Sequence, residues 1–562
     1  MAGNKASHQE VRRANAGNPA DVVERWYRNG VIYSLDVCLF QDSDGDGVGD
    51  LRGLMSRLDY LSRLGVDTVW LSPFHRSPRR DGGYDVTDHY SVDPRLGSLG
   101  DFAELLDHAD ERGVRVMMDL VVNHTSDEHP WFQAARATRD SPFRHWYVWS
   151  DTEPADRREG SVFPGVETET WTYDDRAEAW YRHRFYRFQP DLNTDHPEVR
   201  AEIRKIVSFW ARLGVSGFRV DAAPFLVSSR SGQDFSLLRD IRETASWQRR
   251  DAVVLGEANV EDHEVLEYFG HSDNRASRAL MLFSFRLNQA VMLALARCDA
   301  GPIATVLREL PDLPQNAQWA TFLRNHDEVD LGRLRQDERD DVFAAFGPEP
   351  EMRLYGRGIR RRLVSMLDGD RRRVELAYSL QLTLPGTPVL RYGDEIGMGE
   401  DLTLPEREAI RTPMQWSDAK NAGFSRADSL IMPVISTGPC GCAEVNVARQ
   451  RSDPHSLLTW FERILHTRRE CEEIATGEHE VLGIGPPHVL VHVARGPRGV
   501  MLFAHNLSPE PCQVSVPPQT AEEEPPQNVV ADGAYDNDVD LLSLQLNGYG
   551  YRWIRLADVP WS

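Results

Sequence analysis

The sequence predicts an α/β fold: a closed (β/α)8 TIM barrel with a domain inserted after its third strand and an antiparallel β-domain at its C-terminal end. Three observations carry this expectation. Eight short apolar, β-branched runs alternate with amphipathic helical segments, as in a parallel sheet covered on both faces. Eight units suit closure into a barrel. The loop after the first run, QDSDGDGVGD, is rich in acids, whereas an open doubly wound sheet usually has a Gly-rich phosphate turn there.

The runs are, in order, GVIYSLDV, VDTVWLSP, VRVMMDLVVN, SGFRVDAA, AVVLGEA, ALMLFSF, ATFLRNHD and TPVLRYGDE. Helical segments such as DLRGLMSRLDYLSRLG, LGDFAELLDHADERG and PEVRAEIRKIVSFWARLG separate them. Residues 1–20 read as disordered, and the barrel is expected over 21–123 and 190–474. The aromatic and charged stretch 124–189 is far longer than a βα loop requires and reads as the inserted domain. A second excursion, DERDDVFAAFGPEPEMRLYGRGIRRR, separates the seventh and eighth strands and reads as a solvated helical segment. HSLLTWFERILHTRRECEEI is expected to be the last barrel helix. From 475 to 562 the alternating runs HEVLGIG, HVLVHVAR, VMLFAHNLS and CQVSVPP predict a small β-sandwich, with TAEEEPPQ as a charged loop.

The bulk properties narrow the function. A net charge of -23 argues against nucleic acid or an anionic membrane as the main partner. Six cysteines in 562 residues are too few for a disulfide scaffold, and GPCGC has no second pair to complete a zinc site. The N-terminus has no apolar core of signal-peptide length and no later run is long enough to cross a membrane, so a cytoplasmic location is expected. The expected partner is a small-molecule disaccharide; nothing in the sequence fixes whether the chain forms a homo-oligomer.

Barrel enzymes place reactive groups at the C-terminal ends of their strands. Those positions hold Asp119 and His124, Arg219 and Asp221, Glu257, and His326 with Asp327. Each has a structural explanation on its own; Asp221 could cap a helix and Asp119 could be a salt-bridged acid. Together they suit glycoside cleavage with retention, in which one carboxylate attacks the anomeric carbon and a protonated one serves the leaving oxygen. Asp221 suits the nucleophile, with Arg219 two residues earlier on the same strand holding it ionised. Glu257, at an apolar strand end, suits the acid because desolvation raises a carboxyl pKa. Asp327 would grip sugar hydroxyls. A metal centre is the rival for such a set, but neither histidine lies in an H-x-x-x-H pair.

In the first loop, Asp42, Asp44 and Asp46 fit the first half of an EF-hand, with Gly47 at the turn and the Val48 carbonyl next. The second half fails, since Gly53 stands where a bidentate Glu is required. On residues alone a solvated acidic turn and a cation loop are both open.

DLVVNHTS, GFRVDAAP, LGEAN and FLRNHDE resemble the four signature regions of the α-amylase superfamily (glycoside hydrolase family 13), and QPDLN is similar to its additional region. The resemblance covers nearly the whole chain. It implies Asp221 as nucleophile, Glu257 as acid/base and Asp327 as stabiliser. It also implies that Asp81, Tyr84, His124, Gln189, Arg219, His326 and Arg411 line the pocket for the non-reducing glucose. Similar acidic loops in that superfamily bind calcium, which implies a structural Ca2+ held by Asp42, Asp44, Asp46, Val48 and Asp50; magnesium is the alternative.

Within the superfamily, NHTSDEHPWF, YGDEIGMGEDL, IRTPMQWSDAKNAGFSRAD and GIRRRLVSMLDGDRRR look like the trehalose synthase branch. That branch implies a glucosyl mutase interconverting maltose and trehalose, with no organic cofactor and with water excluded from the intermediate. The loop AAPFLVSSRSGQDFSLLRD is shorter than in that branch, and Ser228 stands where a Glu ligand of a second calcium site is implied. Asn123 and Asp191 match that second site, which is therefore expected to be weak. A wider mouth would favour an exo-acting α-glucosidase or a transglucosidase with another acceptor. A non-catalytic barrel is disfavoured because all three carboxylates are present.

Overall fold

The computed structural model describes residues 25–229, 232–270, 278–496, 498–517, 525–535 and 539–556. The expected disordered 1–20 and most of the TAEEEPPQ loop lie outside them. Eight parallel strands close into a barrel: β1 Ile32–Leu35, β2 Thr68–Leu71, β3 Arg115–Leu120, β4 Gly217–Val220, β5 Val253–Gly256, β6 Met281–Phe283, β7 Gln318–Thr321 and β8 Thr387–Arg391. Each pairs with its sequence neighbours and β1 pairs with β8, so no edge is left open. The strands are buried almost throughout, because helices cover the outside and their own side chains fill the inside. Ile32, Trp70, Met117, Val253, Leu255, Met281, Phe283, Ala320 and Val389 belong to that interior.

The covering helices start and stop where their termini dictate. Leu99–Asp110 opens on a capping box, Ser98 with Asp101. Pro197–Leu213 has its proline in the first turn and ends at Gly214, whose φ of 125° a side chain would disfavour. The segment 50–65, expected as one helix, forms two, Leu51–Met55 and Leu58–Leu64. Between them Arg57 leaves helical geometry; its Nε donates to Gln41 Oε1 at 2.8 Å and its guanidinium sits 4.0 Å from the Trp416 ring centroid.

Three additions surround the mouth. Between β3 and β4 the chain forms the helix Pro130–Ala137 and a sheet of Trp149–Ser150, Ala179–Arg182 and Trp171–Asp174. The excursion after β7 contains the helix Gln336–Phe346, but it is not simply a solvated helical segment. Arg353–Leu354, Gly358–Ile359 and Val329–Asp330 form a sheet that lies against the mouth. The third addition, the long segment after β8, includes the turn Glu406–Ile410.

C-terminal to the helix Leu457–Glu470, five antiparallel strands run in the order Glu478–Val481, Val489–Gly496, Gly499–Asn506, Tyr551–Leu556 and Gln527–Ala531. A second pair, Cys512–Val514 with Leu544–Leu546, closes over Val491, Val493, Leu502 and Ile554 to make a small core. The other face of the sheet docks on the barrel: Trp553 Nε1 donates to Ser379 Oγ at 2.9 Å and Trp460 Nε1 to Tyr551 Oη at 2.7 Å.

Candidate active site

At the C-terminal end of β4 the strand breaks sharply. Asp221 follows Val220, and Ala222 adopts a left-handed conformation with φ 49°. That conformation is uncommon for a residue with a Cβ and costs about 1 kcal/mol or more. It turns the Ala222 N–H onto Glu257 Oε2, 3.1 Å away, linking the end of β4 to the residue that follows β5.

Arg219, projecting from β4 into the barrel and 1% exposed, sits among three carboxylates. Its Nη1 lies 2.7 Å from Asp119 and 2.6 Å from Asp221, and its Nη2 lies 2.8 Å from Glu257. One positive charge cannot keep three buried carboxyls ionised. Burial pushes Asp221 up to about 6 despite Arg219, and burial raises Asp119 to about 6 against the same cation. Arg219 still favours the Asp221 anion, as expected, but it shares its guanidinium with two neighbouring carboxyls. Glu257 is raised furthest, to about 7, by burial, with the charge of Asp221 adding to it. The shared proton thus resides on Glu257 first, which leaves Asp221 as the anion.

Asp327 lies beyond the end of β7 and is held from the other side. Arg407 Nη1 and Arg411 Nη2 reach its Oδ1 at 2.7 and 2.9 Å, and His326 Nε2 is 3.2 Å from Oδ2. Burial alone would raise this carboxyl, but the guanidiniums of Arg407 and Arg411 hold it below the usual range. His326 is pushed well below its ordinary value by burial and stays neutral. The two guanidiniums favour Asp327 as the anion.

Of the remaining expected residues, Asp81, Tyr84 and His124 line the same cavity, whereas Gln189, Arg219 and Arg411 stand behind its wall and hold lining carboxylates. Tyr84 stacks on His326 with ring centroids 5.4 Å apart, and its hydroxyl meets His326 Nε2 at 2.7 Å and Asp119 Oδ2 at 3.2 Å. Asp81 accepts from Gln189 Nε2 at 3.0 Å and from Arg407 Nη2 at 2.7 Å. His124 Nε2 lies 3.2 Å from the Tyr84 carbonyl, and burial keeps the imidazole neutral. Asp81, Tyr84, His124, Asp221, Glu257, His326, Asp327 and Arg407 line a cavity of about 500 Å³. Arg407 was missed by sequence reasoning. Flanked by Glu406 and Glu408, it reads as a solvated turn, and its spacing of four from Arg411 was the available signal. Phe163, Phe185, Phe225 and Arg357, also in the wall, come from segments with no motif of their own, while Glu328 closes the FLRNHDE motif.

A partial roof narrows the cavity mouth. Arg357, from the excursion after β7, donates through Nη2 to the Val162 carbonyl of the inserted domain at 3.1 Å. Phe163 and Tyr355 pack with centroids 5.0 Å apart. Tyr186 and Tyr355 both donate to Glu406 Oε2 at 2.7 Å. Three segments distant in sequence thus meet above Asp221 and Glu257. The short loop after β4, a helix Ala223–Val227 and a hairpin beginning at Ser228, contributes Pro224 and Phe225 to the wall.

Two cation sites were expected. In the first loop, carboxylate oxygens of Asp42, Asp44 and Asp50 lie within 4.8 Å of one another, a donor set that fits a hard cation. Asp46 is outside this group, and its Oδ1 accepts from the Val48 N–H at 2.8 Å. The loop is clamped to the segment after β8: Asp42 N donates to the Phe424 carbonyl at 3.0 Å and Ile431 N to the Gly47 carbonyl at 3.0 Å. At the second site, Arg184 pairs with Asp191. Its Nη1 is 3.0 Å from Asp191 Oδ2 and its backbone N–H 3.2 Å from Oδ1, while Asn123 Nδ2 lies 3.3 Å from His124 Nδ1. Residues already satisfied by a guanidinium do not fit a metal there.

Comparison with known proteins agrees with this geometry. A family model described as the catalytic domain of alpha amylase matches residues 37–344 and 360–477. A trehalose synthase from Thermus thermophilus is 44% identical over 494 residues, covering 86% of this chain and 50% of that protein, so the chain spans half of that relative's length. A trehalose synthase from Pimelobacter sp. (strain R48) is 40% identical over 552 residues, 95% of this chain and 96% of that one. Among solved structures, an α-amylase from H. orenii superposes with a TM-score of 0.76 at 27% identity, covering 94% of this chain and 99% of its own.

Proposed function

The chain belongs to the α-amylase family, and from that premise we propose that it is a retaining α-glucosyl mutase of the trehalose synthase type, interconverting maltose and trehalose. Asp221 attacks the anomeric carbon of the non-reducing glucose as Glu257 gives its proton to the departing glycosidic oxygen. A glucosyl ester on Asp221 and a free glucose result. Glu257, now ionised, takes the proton from the anomeric hydroxyl of that glucose after it has turned over. The hydroxyl oxygen then displaces Asp221, forming the α,α-1,1 linkage and regenerating both carboxyls. Asp327, with Asp81 and Tyr84, grips the bound ring, and Asp327's charge favours the oxocarbenium-like state between the two steps.

The observation that carries a mutase over a hydrolase is the roof, where Arg357 and Tyr355 meet Val162 and Phe163 over the cavity. Water must be kept from the ester while glucose reorients, and a volume of about 500 Å³ under that roof suits a disaccharide. The shortened loop after β4 is the feature that favours hydrolysis. Purified protein given maltose is expected to form trehalose as the main product with glucose as the minor one. Glucose with no disaccharide product would replace this reading with an exo-acting α-glucosidase.

The same reading includes a structural calcium ion held by Asp42, Asp44 and Asp50, which would tie the first loop to the segment after β8. It also includes a cytoplasmic location, which rests on the sequence. In the structure, no helix among the described residues is long and apolar enough to cross a membrane.

A further inference from the structure

The barrel-facing side of the C-terminal sheet holds a group of side chains that the sugar chemistry does not use. Along its central strands the residues alternate. Val491, Val493 and Leu502 point into the sheet's own small core, whereas Leu490, Ala494, Phe503 and Trp553 join the core of the barrel. His492 and His505 share the barrel side and are 1% and 0% exposed. With His479 they form a row across three neighbouring strands. Ring centroids are 6.2 Å apart from His479 to His492 and 6.0 Å from His492 to His505, with the planes inclined by 22° and 13°. Tyr551 continues the row, 6.4 Å from His505.

Little answers the hydrogen-bonding capacity of this row. His505 Nε2 meets Ser379 Oγ at 2.9 Å, on the helix Arg371–Thr383, and His479 Nε2 donates to the Ile474 carbonyl at 2.9 Å, on Glu472–Thr476. Four ring nitrogens have no protein partner: Nδ1 of His479, both of His492, and Nδ1 of His505. The charges packed against the row do not favour protonation. Arg468, from Leu457–Glu470, repels a charge on His479. Glu375 is held by Arg371 and by the Tyr551 hydroxyl, and Glu473 by Arg555. Burial lowers His479 to about 4 and His505 to about 3, and it holds His492 well below its ordinary value, with the two flanking imidazoles adding to the effect. An unfolded histidine takes up its proton near pH 6.5. The stability these groups allow is therefore complete above that pH and is lost as pH falls toward 4, by about tenfold in the folding equilibrium per pH unit for each histidine.

We propose that His479, His492 and His505 form an acid-operated latch, which holds the C-terminal sheet against the barrel while they are neutral and releases it once they take up protons. Three imidazolium ions at these spacings, with no carboxylate to pair with among the described residues, cannot stay in a dry interface. The latch reaches the catalytic end through one helix. Ser379 also accepts from Trp553 Nε1 at 2.9 Å, and two residues on, Gln381 Nε2 donates to the carbonyls of Thr321 in β7 and Val389 in β8 at 3.0 and 2.9 Å. Release of the sheet thus loosens the helix that ties together the strands leading to Asp327 and to Arg407, and activity falls with it.

The test follows the full-length protein from about pH 8 to about pH 4.5 by backbone hydrogen exchange, corrected for intrinsic rates, with maltose cleavage assayed alongside. Protection in 489–506 and 371–383 is expected to fall by about tenfold or more below pH 6, while 217–220 and 253–256 stay protected. Cleavage should recover on return to neutral pH. Protonation of Asp221 lowers activity with no loss of protection, so the two acid effects are told apart. His492→Phe, which keeps a ring against Phe503, should move the midpoint down by about 0.5 pH unit or more. Should that variant not fold, deuterium exchange at the imidazole carbons of the parent decides: His492 and His505 taking up protons at the midpoint of the opening supports the latch. An unchanged midpoint in the variant, imidazoles that titrate apart from the opening, or barrel strands that open together with the sheet would overturn it.

Discussion

Arg219 touches Asp119, Asp221 and Glu257 at once, and this sharing sets the protonation of the whole site. Because burial lifts Asp221 to about 6 and Glu257 to about 7, both groups hold their protons more tightly folded than unfolded. Unfolded carboxyls ionise near pH 4, so each group costs the fold stability as pH rises from about 4 through its folded value. Glu257→Gln is expected to lose activity by about 10²-fold or more while raising Tm at pH 8, with the two proteins converging near pH 4. In the parent, kcat/KM should fall above about pH 7 as Glu257 ionises and below about pH 6 as Asp221 is protonated. A pH-rate profile with calorimetry checks both, and a variant less stable than the parent at pH 8 would contradict the assignment. The clustering of Asp221, Glu257 and Asp327 was legible because each carboxylate follows a strand-like run in a motif. Arg219's service to three acids was not, since nothing in GFRVD says that Asp119 and Glu257 lie within reach of the same side chain.

Among the elements, the roof and the first loop do the work that no single residue can. The roof depends on Arg357 bridging to the Val162 carbonyl. Arg357→Ala should raise the share of maltose released as glucose several-fold while leaving total turnover within about threefold, because it admits water without touching the reacting carboxylates. Product ratios by chromatography decide this, and an unchanged ratio would remove the roof as the barrier. In the first loop, Gly47 has φ 94°, and a Cβ there would lie 2.0 Å from the Ser429 carbonyl oxygen. EDTA is expected to lower Tm while leaving product identity alone, and added calcium to restore it, as scanning calorimetry would show; indifference to EDTA would leave the loop a plain acidic turn. The strands and the long helices were readable from periodicity. The break at Arg57 was not, because a residue drawn out of a helix by Gln41 and Trp416 reveals itself only once those partners are placed. The roof escaped for the same reason: a Tyr-Gly-Arg in a charged stretch reads as solvated until the inserted domain stands opposite.

At the scale of the whole molecule, the C-terminal sheet completes the barrel's surface. It covers Ser379, Trp460 and Glu473, all buried, and Arg555 pairs with Glu473 at 2.8 Å. A chain ended after Gly477 would expose that largely apolar face, so it should aggregate or express without soluble activity. A monomeric truncated barrel with the parent Tm, seen by size-exclusion chromatography and calorimetry, would show the sheet to be dispensable. The overall plan was legible because strand and helix periods alternate eight times and then give way to a period of two. Which face of the sheet meets the barrel was not, since both of its faces are largely apolar.

Closure of the barrel has a consequence for the timing of synthesis. Asp81 and Arg407 lie 2.7 Å apart yet are separated by 326 residues, and β1 pairs with β8. On the ribosome, at roughly 5–20 residues per second, on the order of half a minute passes between the appearance of one partner and the other. In the later part of that interval Asp221 and Glu257 are already on the nascent chain, but Asp327 lacks its arginines. Until Arg407 and Arg411 emerge, Asp327 is without the cations that hold it, and a product terminated before them is expected to be inactive.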